Sequence, residues 1–130
     1  MRAFSFSVVQ FISFEEFLNK VFDELAAAIC KKIYGFVVHD DIYIGNRIKI
    51  LKPKIWGYKG TIYKLRVYCG KESPRVLFVK TPHNDIVLLH GFIKKTRKTP
   101  KKDAEIAIRN LERLKNKVET AQLPLAKYLL

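Results

Sequence analysis

Apolar residues recur along the chain in two rhythms, and the change of rhythm divides it. Near the start Phe4, Phe6 and Val8 alternate with Ser5 and Ser7, the period of a strand, within Phe4–Ile12. Ser13-Phe14-Glu15-Glu16 then has the form of a capping box, a hydroxyl at the N-cap and a carboxylate three residues on. Behind it Phe14, Phe17, Leu18, Val21, Phe22, Leu25, Ala28 and Ile29 return at helical spacing, which predicts one amphipathic helix to about Ile33. Gly35–Gly60 is polar and punctuated by glycine, without one assignment; Phe36–Ile44 fits either a strand or a second short helix.

From Thr61 the rhythm is that of strands. Thr61–Tyr68, Arg75–Lys80 and Asp85–Ile93 are short, rich in Val, Ile, Leu, Phe and Tyr, and separated by turn signals. Those signals are Gly70-Lys71-Glu72-Ser73-Pro74 and Pro82-His83-Asn84-Asp85, and connections so short make hairpins, hence an antiparallel meander. Thr99-Pro100 opens a second helix, threonine as N-cap and proline at the first helical position. Ala104, Ala107, Ile108, Leu111, Leu114 and Val118 give that helix one apolar face. The tail 120–130 is partly apolar, broken by Pro124, and has no assigned role. The expected architecture is α+β: a small antiparallel sheet packed with an N-terminal and a C-terminal helix.

Composition sharpens this outline. The 130 residues suit one domain, 1–130, and 48% apolar content suffices for a core. The formal net charge is +13, unevenly spread. Residues 1–46 hold four basic and six acidic groups, whereas 47–130 hold twenty-one basic and six acidic. Such asymmetry attracts polyanions and makes nucleic acid the leading partner. Cys30 and Cys69 lie far apart in no metal-binding pattern, and read as packed, reduced thiols of a cytoplasmic protein. No apolar run is long enough to span a membrane, and the acidic pair after Phe4–Ile12 argues against a signal peptide.

Six of the nine residues from Lys94 to Lys102 are Lys or Arg, at the junction where a strand ends and a helix begins. A helix N-terminus adds free N–H groups and a positive dipole end, so this is a phosphate-holding surface, with RNA the expected ligand. Strand alternation places Lys64 and Arg66 on one face, Arg75 at the start of the next strand, and His90 and Lys94 together on the third. Pairing as the turns imply would bring Lys64, Arg66, Arg75, His90 and Lys94 towards one end of the sheet, where cations stabilise charge developing on a phosphate. Lys49–Lys59 interleaves Lys52 and Lys54 with Trp56 and Tyr58, a pattern that holds single-stranded RNA by stacking and charge; core packing explains Trp56 equally well. His39 near Asp40-Asp41 does not define a metal site, and no Ser-His-Asp set, phosphate-cradling glycine loop or carboxylate pair is present. No metal or other cofactor is expected.

Ile62-Tyr63-Lys64-Leu65-Arg66-Val67, Arg75-Val76-Leu77-Phe78 and Ile86–Thr96 with Lys98-Thr99-Pro100 resemble a known family. The similarity is to the HigB-like, phage-derived branch of the RelE/ParE superfamily of bacterial type II toxins. It is closest over 61–114, and its most specific part runs from His90-Gly91-Phe92 through Lys94-Lys95-Thr96 to Lys98-Thr99-Pro100, leading into a helix. The resemblance implies a RelE-like toxin acting as a metal-independent endoribonuclease, an mRNA interferase working on ribosome-bound mRNA. It implies a helix-turn-helix antitoxin as partner, besides mRNA and the ribosome. Carried onto this chain, the catalytic candidates are Lys64, Arg66, Arg75, His90, Lys94 and Lys95. Arg97, Lys98, Lys101 and Lys102, with Lys52 and Lys54, would grip flanking RNA. Two other readings compete: a non-catalytic ParE-like toxin directed at DNA gyrase, and a plain RNA-binding module that needs only the basic surface.

Overall fold

The computed structural model describes residues 8–39, 48–67, 70–80, 86–115 and 121–122. In chain order these form β1 (Val8–Gln10), α1 (Ile12–Lys20), α2 (Asp23–His39), β2 (Ile48–Leu51), α3 (Pro53–Trp56), β3 (Ile62–Arg66), β4 (Pro74–Lys80), β5 (Ile86–Ile93), α4 (Lys101–Lys115) and β6 (Ala121–Gln122). One sheet carries all six strands in the order β2-β3-β4-β5-β1-β6. Strands β2 to β5 are successively antiparallel, as expected for the meander, with β2 added from the stretch left unassigned. Strand β1 runs parallel to β5, and β6 pairs antiparallel with β1. The fold is α+β, with helices on both faces of the sheet. Among the described residues no helix is long and apolar enough to cross a membrane. The expectations for His39-Asp40-Asp41, Cys69, the 82–85 turn and most of the 120–130 tail fall outside the described residues or side chains.

The two faces bury different sets. On one, Phe14, Leu18, Leu25, Ile29 and Ile33 of α1 and α2 meet Leu65, Val76, Phe78 and Leu88. On the other, Ala104, Ala107 and Leu111 of α4 meet Ile62, Leu77, Val79, Val87 and Leu89. The alanines let the α4 backbone lie close to the strands. Covered on both sides, β4 and β5 read as near-continuous apolar runs rather than alternating ones. Cys30, on the inner face of α2, is fully buried, and burial pushes its thiol up to about 12.

The single N-terminal helix predicted from Ser13 to Ile33 is in fact two. Val21 adopts an extended backbone at φ −86°, ψ 164°, and Phe22 is 74% exposed although its spacing places it on the buried stripe. An unbroken helix of that length would run about 31 Å, longer than the short strands beneath it. The break lets α1 lie over β5 and gives α2 a fresh N-terminus, where Asp23 and Glu24 complement the dipole. The capping box is also not formed. Phe11 is the N-cap of α1 and makes no side-chain capping bond. Ser13 instead donates to the Leu89 carbonyl at 2.9 Å, and Asn110 of α4 donates to the same carbonyl at 2.8 Å and to Ser13 Oγ at 3.0 Å.

The demand for those donors comes from a bulge. Leu77 pairs with His90 but Phe78 pairs with Leu88, so Leu89 is an extra residue in β5. Its buried carbonyl would lack a ladder partner without Ser13 and Asn110. Sequence spacing cannot show this, because the capping signal and the bulge repair use the same hydroxyl. Beyond the bulge, Gly91 lies under the Phe17 ring of α1: a Cβ there would stand 2.3 Å from a ring carbon. Only glycine fits between helix and strand at that point.

Candidate active site

Past the N-terminal end of α4 the sheet face is no longer covered, and cations take the place of the core. A cavity of about 120 Å³ is lined there by Lys49, Lys64, Arg66, Arg75, Lys94, Arg97 and Thr99. Pairing across the strands assembles it. Lys49 of β2 stands directly opposite Lys64 of β3, and Arg66 of β3 directly opposite Arg75 of β4. Residues so paired share a face, and like charges placed opposite one another destabilise a sheet. Two such pairs side by side break a local rule of strand pairing, the kind of conflict expected where a surface serves a ligand rather than the fold.

The β2–β3 register depends on the short excursion between them. Pro53 opens α3 after Lys52, and Gly57, left-handed at φ 68°, closes it with its N–H on the Pro53 carbonyl at 2.7 Å. The Tyr58 hydroxyl then donates to the Leu51 carbonyl and accepts from the Ile62 N–H at 3.0 Å. One buried phenol thereby ties the end of β2 to the start of β3, which fixes Lys49 against Lys64. Trp56 packs partly buried against the α4-side core.

Each cation is held differently. Arg75 is 8% exposed, and its Nη1 donates to Ser73 Oγ at 2.8 Å and to the Ser73 and Pro74 carbonyls at 3.2 Å. The Lys94 N–H in turn donates to the Ser73 carbonyl at 2.9 Å, so the β4 and β5 ends are locked together. Lys64 Nζ donates to Thr99 Oγ1 at 3.2 Å. Thr99 was expected as a helix cap; instead the Pro100 carbonyl accepts the first helical bond, from Ala104 at 3.0 Å, and α4 starts at Lys101. Burial lowers the Lys64 pKa below the usual lysine value, and the charges of Lys94, Lys49, Arg75 and Lys52 lower it further. Lys94 is lowered by the same causes: burial first, then Arg75, Arg66 and Lys49. Among the described residues no carboxylate lines the cavity. The arrangement suits an anion with several oxygens, and supplies lysines that give up a proton more readily than usual.

The residues singled out from sequence separate into groups. Lys64, Arg66, Arg75 and Lys94 come together in the cavity, joined by Arg97. Lys95 follows Lys94 in the chain but is exposed and outside the lining. His90 also lies outside it: its Nε2 is 2.8 Å from Asp103 Oδ1, its ring stacks on Phe92, and its buried Nδ1 has no hydrogen-bond partner among the described residues. Lys52 is exposed yet near enough for its charge to act on Lys64. Lys54, Lys98, Lys101 and Lys102 are exposed and outside the lining, and Lys101 faces Glu105 at 3.8 Å. Lys49 and Thr99 line the cavity without having been chosen from sequence as ligand contacts. The alternation of Lys49 with Ile48 and Ile50 was the available signal for the first.

Residues 24–112 match the model of a family described as phage derived protein Gp49-like (DUF891). The chain belongs to this family, which is toxin–antitoxin-associated and part of the RelE/HigB-like toxin superfamily. No curated protein matches the chain.

Proposed function

We infer that this Gp49-like protein is the toxin of a type II toxin–antitoxin pair and acts as an endoribonuclease on mRNA at the ribosome. The observation that carries the reading is the cavity itself: six cations, two of them lysines with lowered pKa, and, among the described residues, no carboxylate. RNA supplies its own nucleophile. The 2′-hydroxyl attacks the adjacent phosphorus, the P–O5′ bond breaks, and the products carry a 2′,3′-cyclic phosphate and a 5′-hydroxyl.

In this scheme Arg75, held by Ser73 and Pro74, and Arg66 opposite it meet the charge that grows on the equatorial phosphoryl oxygens. Lys64 takes the 2′-hydroxyl proton, because its lowered pKa leaves more of the neutral amine near neutral pH than an ordinary lysine has. Lys94 gives a proton to the leaving oxygen. The exposed Lys52, Lys54, Lys95, Lys98, Lys101 and Lys102 bind the flanking RNA backbone or the ribosome, each as a screened, salt-sensitive contact. His90 acts indirectly in this reading, tethering the first turn of α4 through Asp103. The cognate antitoxin is the expected protein partner.

Purified protein added to a cell-free translation reaction tests this reading, with new RNA 5′ ends mapped in the presence and absence of ribosomes. New 5′-hydroxyl ends inside translated mRNA, lost in Arg75→Ala, are the expected result. Intact mRNA with gyrase-dependent DNA breaks would replace it with the gyrase-directed alternative. RNA binding with normal translation would leave only a binding module.

A further inference from the structure

We propose that Lys64 is a site of covalent acylation by acyl phosphates, small molecules in which a carboxyl carbon is joined to a phosphate. Such a reagent makes two demands on a site. Its phosphate carries about two negative charges and must be held, and its carbonyl carbon must meet a neutral amine. Few protein sites offer both, since cations that hold a phosphate are usually protonated lysines themselves.

This cavity offers both within one set of side chains. Arg66, Arg75 and Arg97 stay charged at any physiological pH and can seat the phosphate. Lys64 sits among them, half-buried, one N–H fixed on Thr99 Oγ1 at 3.2 Å. Burial and four neighbouring cations hold its pKa below the usual lysine value, which raises the share of reactive amine. The exposed Lys54 and Lys98 have neither the burial nor a place in the lining.

The step balances without any further reactant. The Lys64 Nζ lone pair attacks the carbonyl carbon and a C–N bond forms. The C–O bond to the phosphate breaks, inorganic phosphate leaves with the electron pair, and the nitrogen sheds its proton to that phosphate. The product is a neutral amide in place of a cation. That RNA cleavage then falls rests on the function proposed above; the modification itself does not.

Full-length protein treated with acetyl phosphate, followed by proteolysis and mass spectrometry of each lysine, tests the idea. Focusing of the anion by the cavity predicts that Lys64 is acetylated at least roughly tenfold faster than Lys54 or Lys98. Inorganic phosphate should slow Lys64 selectively, and Arg97→Ala should do the same while leaving the exposed lysines unchanged. The uncharged donor p-nitrophenyl acetate, which gains only from the larger share of neutral amine and not from phosphate seating, should show a much smaller preference. Equal rates at Lys64 and Lys54 would overturn the proposal, as would the same preference with the uncharged donor. Mapping RNA ends with the acetylated protein is a separate arm. Selective acetylation without loss of cleavage would leave the modification standing and count against Lys64 as the base.

Discussion

On the α1–α2 face, Leu65, Val76, Phe78 and Leu88 meet helix side chains in an apolar cluster. On the α4 face, the same strands carry Leu77 and Val79 under the helix and then Lys64, Arg66 and Arg75 beyond its end. The first face is complete because two helices cover it; the second is cut short because α4 begins only at Lys101. The uncovered remainder is where the strands tolerate like charges in register. A half-covered sheet face thus supplies rigid positions for side chains whose charges oppose folding. The comparison predicts that substitutions on the two faces separate function from stability.

The largest effect belongs to Arg75. Arg75→Ala should lower the cleavage rate by about 10²–10³-fold, the usual loss for a removed charge-stabilising donor. Arg75→Lys should recover little, since an ammonium cannot reproduce the fork held by Ser73 and Pro74. Single-turnover cleavage of a short mRNA on ribosomes measures both.

Gly91 is the counterpart on the other face. Gly91→Ala forces Phe17 off the strand and should cost about 1–3 kcal/mol in urea denaturation. Cleavage by the protein that remains folded should be nearly unchanged. If Gly91→Ala is as stable as the wild type, the close approach of α1 to β5 is wrong.

Thr99 probes the seam between the faces. Thr99→Val keeps the shape but removes the acceptor for Lys64, and a misaimed lysine should cost about tenfold in rate. Thr99→Ser should restore it. Restoration by serine would show that the hydroxyl matters, not the start of α4.

The smallest effect concerns pH and stability. Lys64 and Lys94 have folded pKa values below the ordinary 10.5, so the folded protein binds fewer protons than the unfolded chain as pH nears that value. Stability should therefore rise with pH between the lowered values and 10.5, and the cost of these charges is fully present below that window. Lys64→Met should remove its share and raise stability at neutral pH, by no more than about 1 kcal/mol. Thermal melts from pH 7 to 10.5 check the sign. RNA affinity should move the other way, weakening as pH rises through the lowered lysine values.

The sequence disclosed much of this in its local periodicities. The three meander strands follow from alternation and turn residues, and their order brings Lys64, Arg66, Arg75 and Lys94 to one cavity, whereas His90, expected with them, stays outside its lining. Strand β2 did not show itself, because four residues between polar stretches are too short for a period to stand out. With β2 missing, Lys49 had no partner strand, and its opposition to Lys64 could not be seen. The helix break at Val21 and the bulge at Leu89 were hidden for another reason. Both answer to tertiary demands, the reach of the sheet beneath α1 and the needs of a buried carbonyl, which no local pattern encodes. His90 shares the α4 face of its strand, yet the bulge and Asp103 turn it into a tether for the helix.

The central claim, that the α4-side cavity holds the RNA phosphate, has a direct test in side-chain NMR. The arginine Nε–Hε and lysine Nζ signals would be followed while an uncleavable 2′-O-methyl RNA is titrated in. Shifts are expected at Arg66, Arg75, Arg97, Lys64 and Lys94, with a Lys64 pKa that rises towards the ordinary value as phosphate binds. Saturable RNA binding that leaves these five signals unmoved would contradict it.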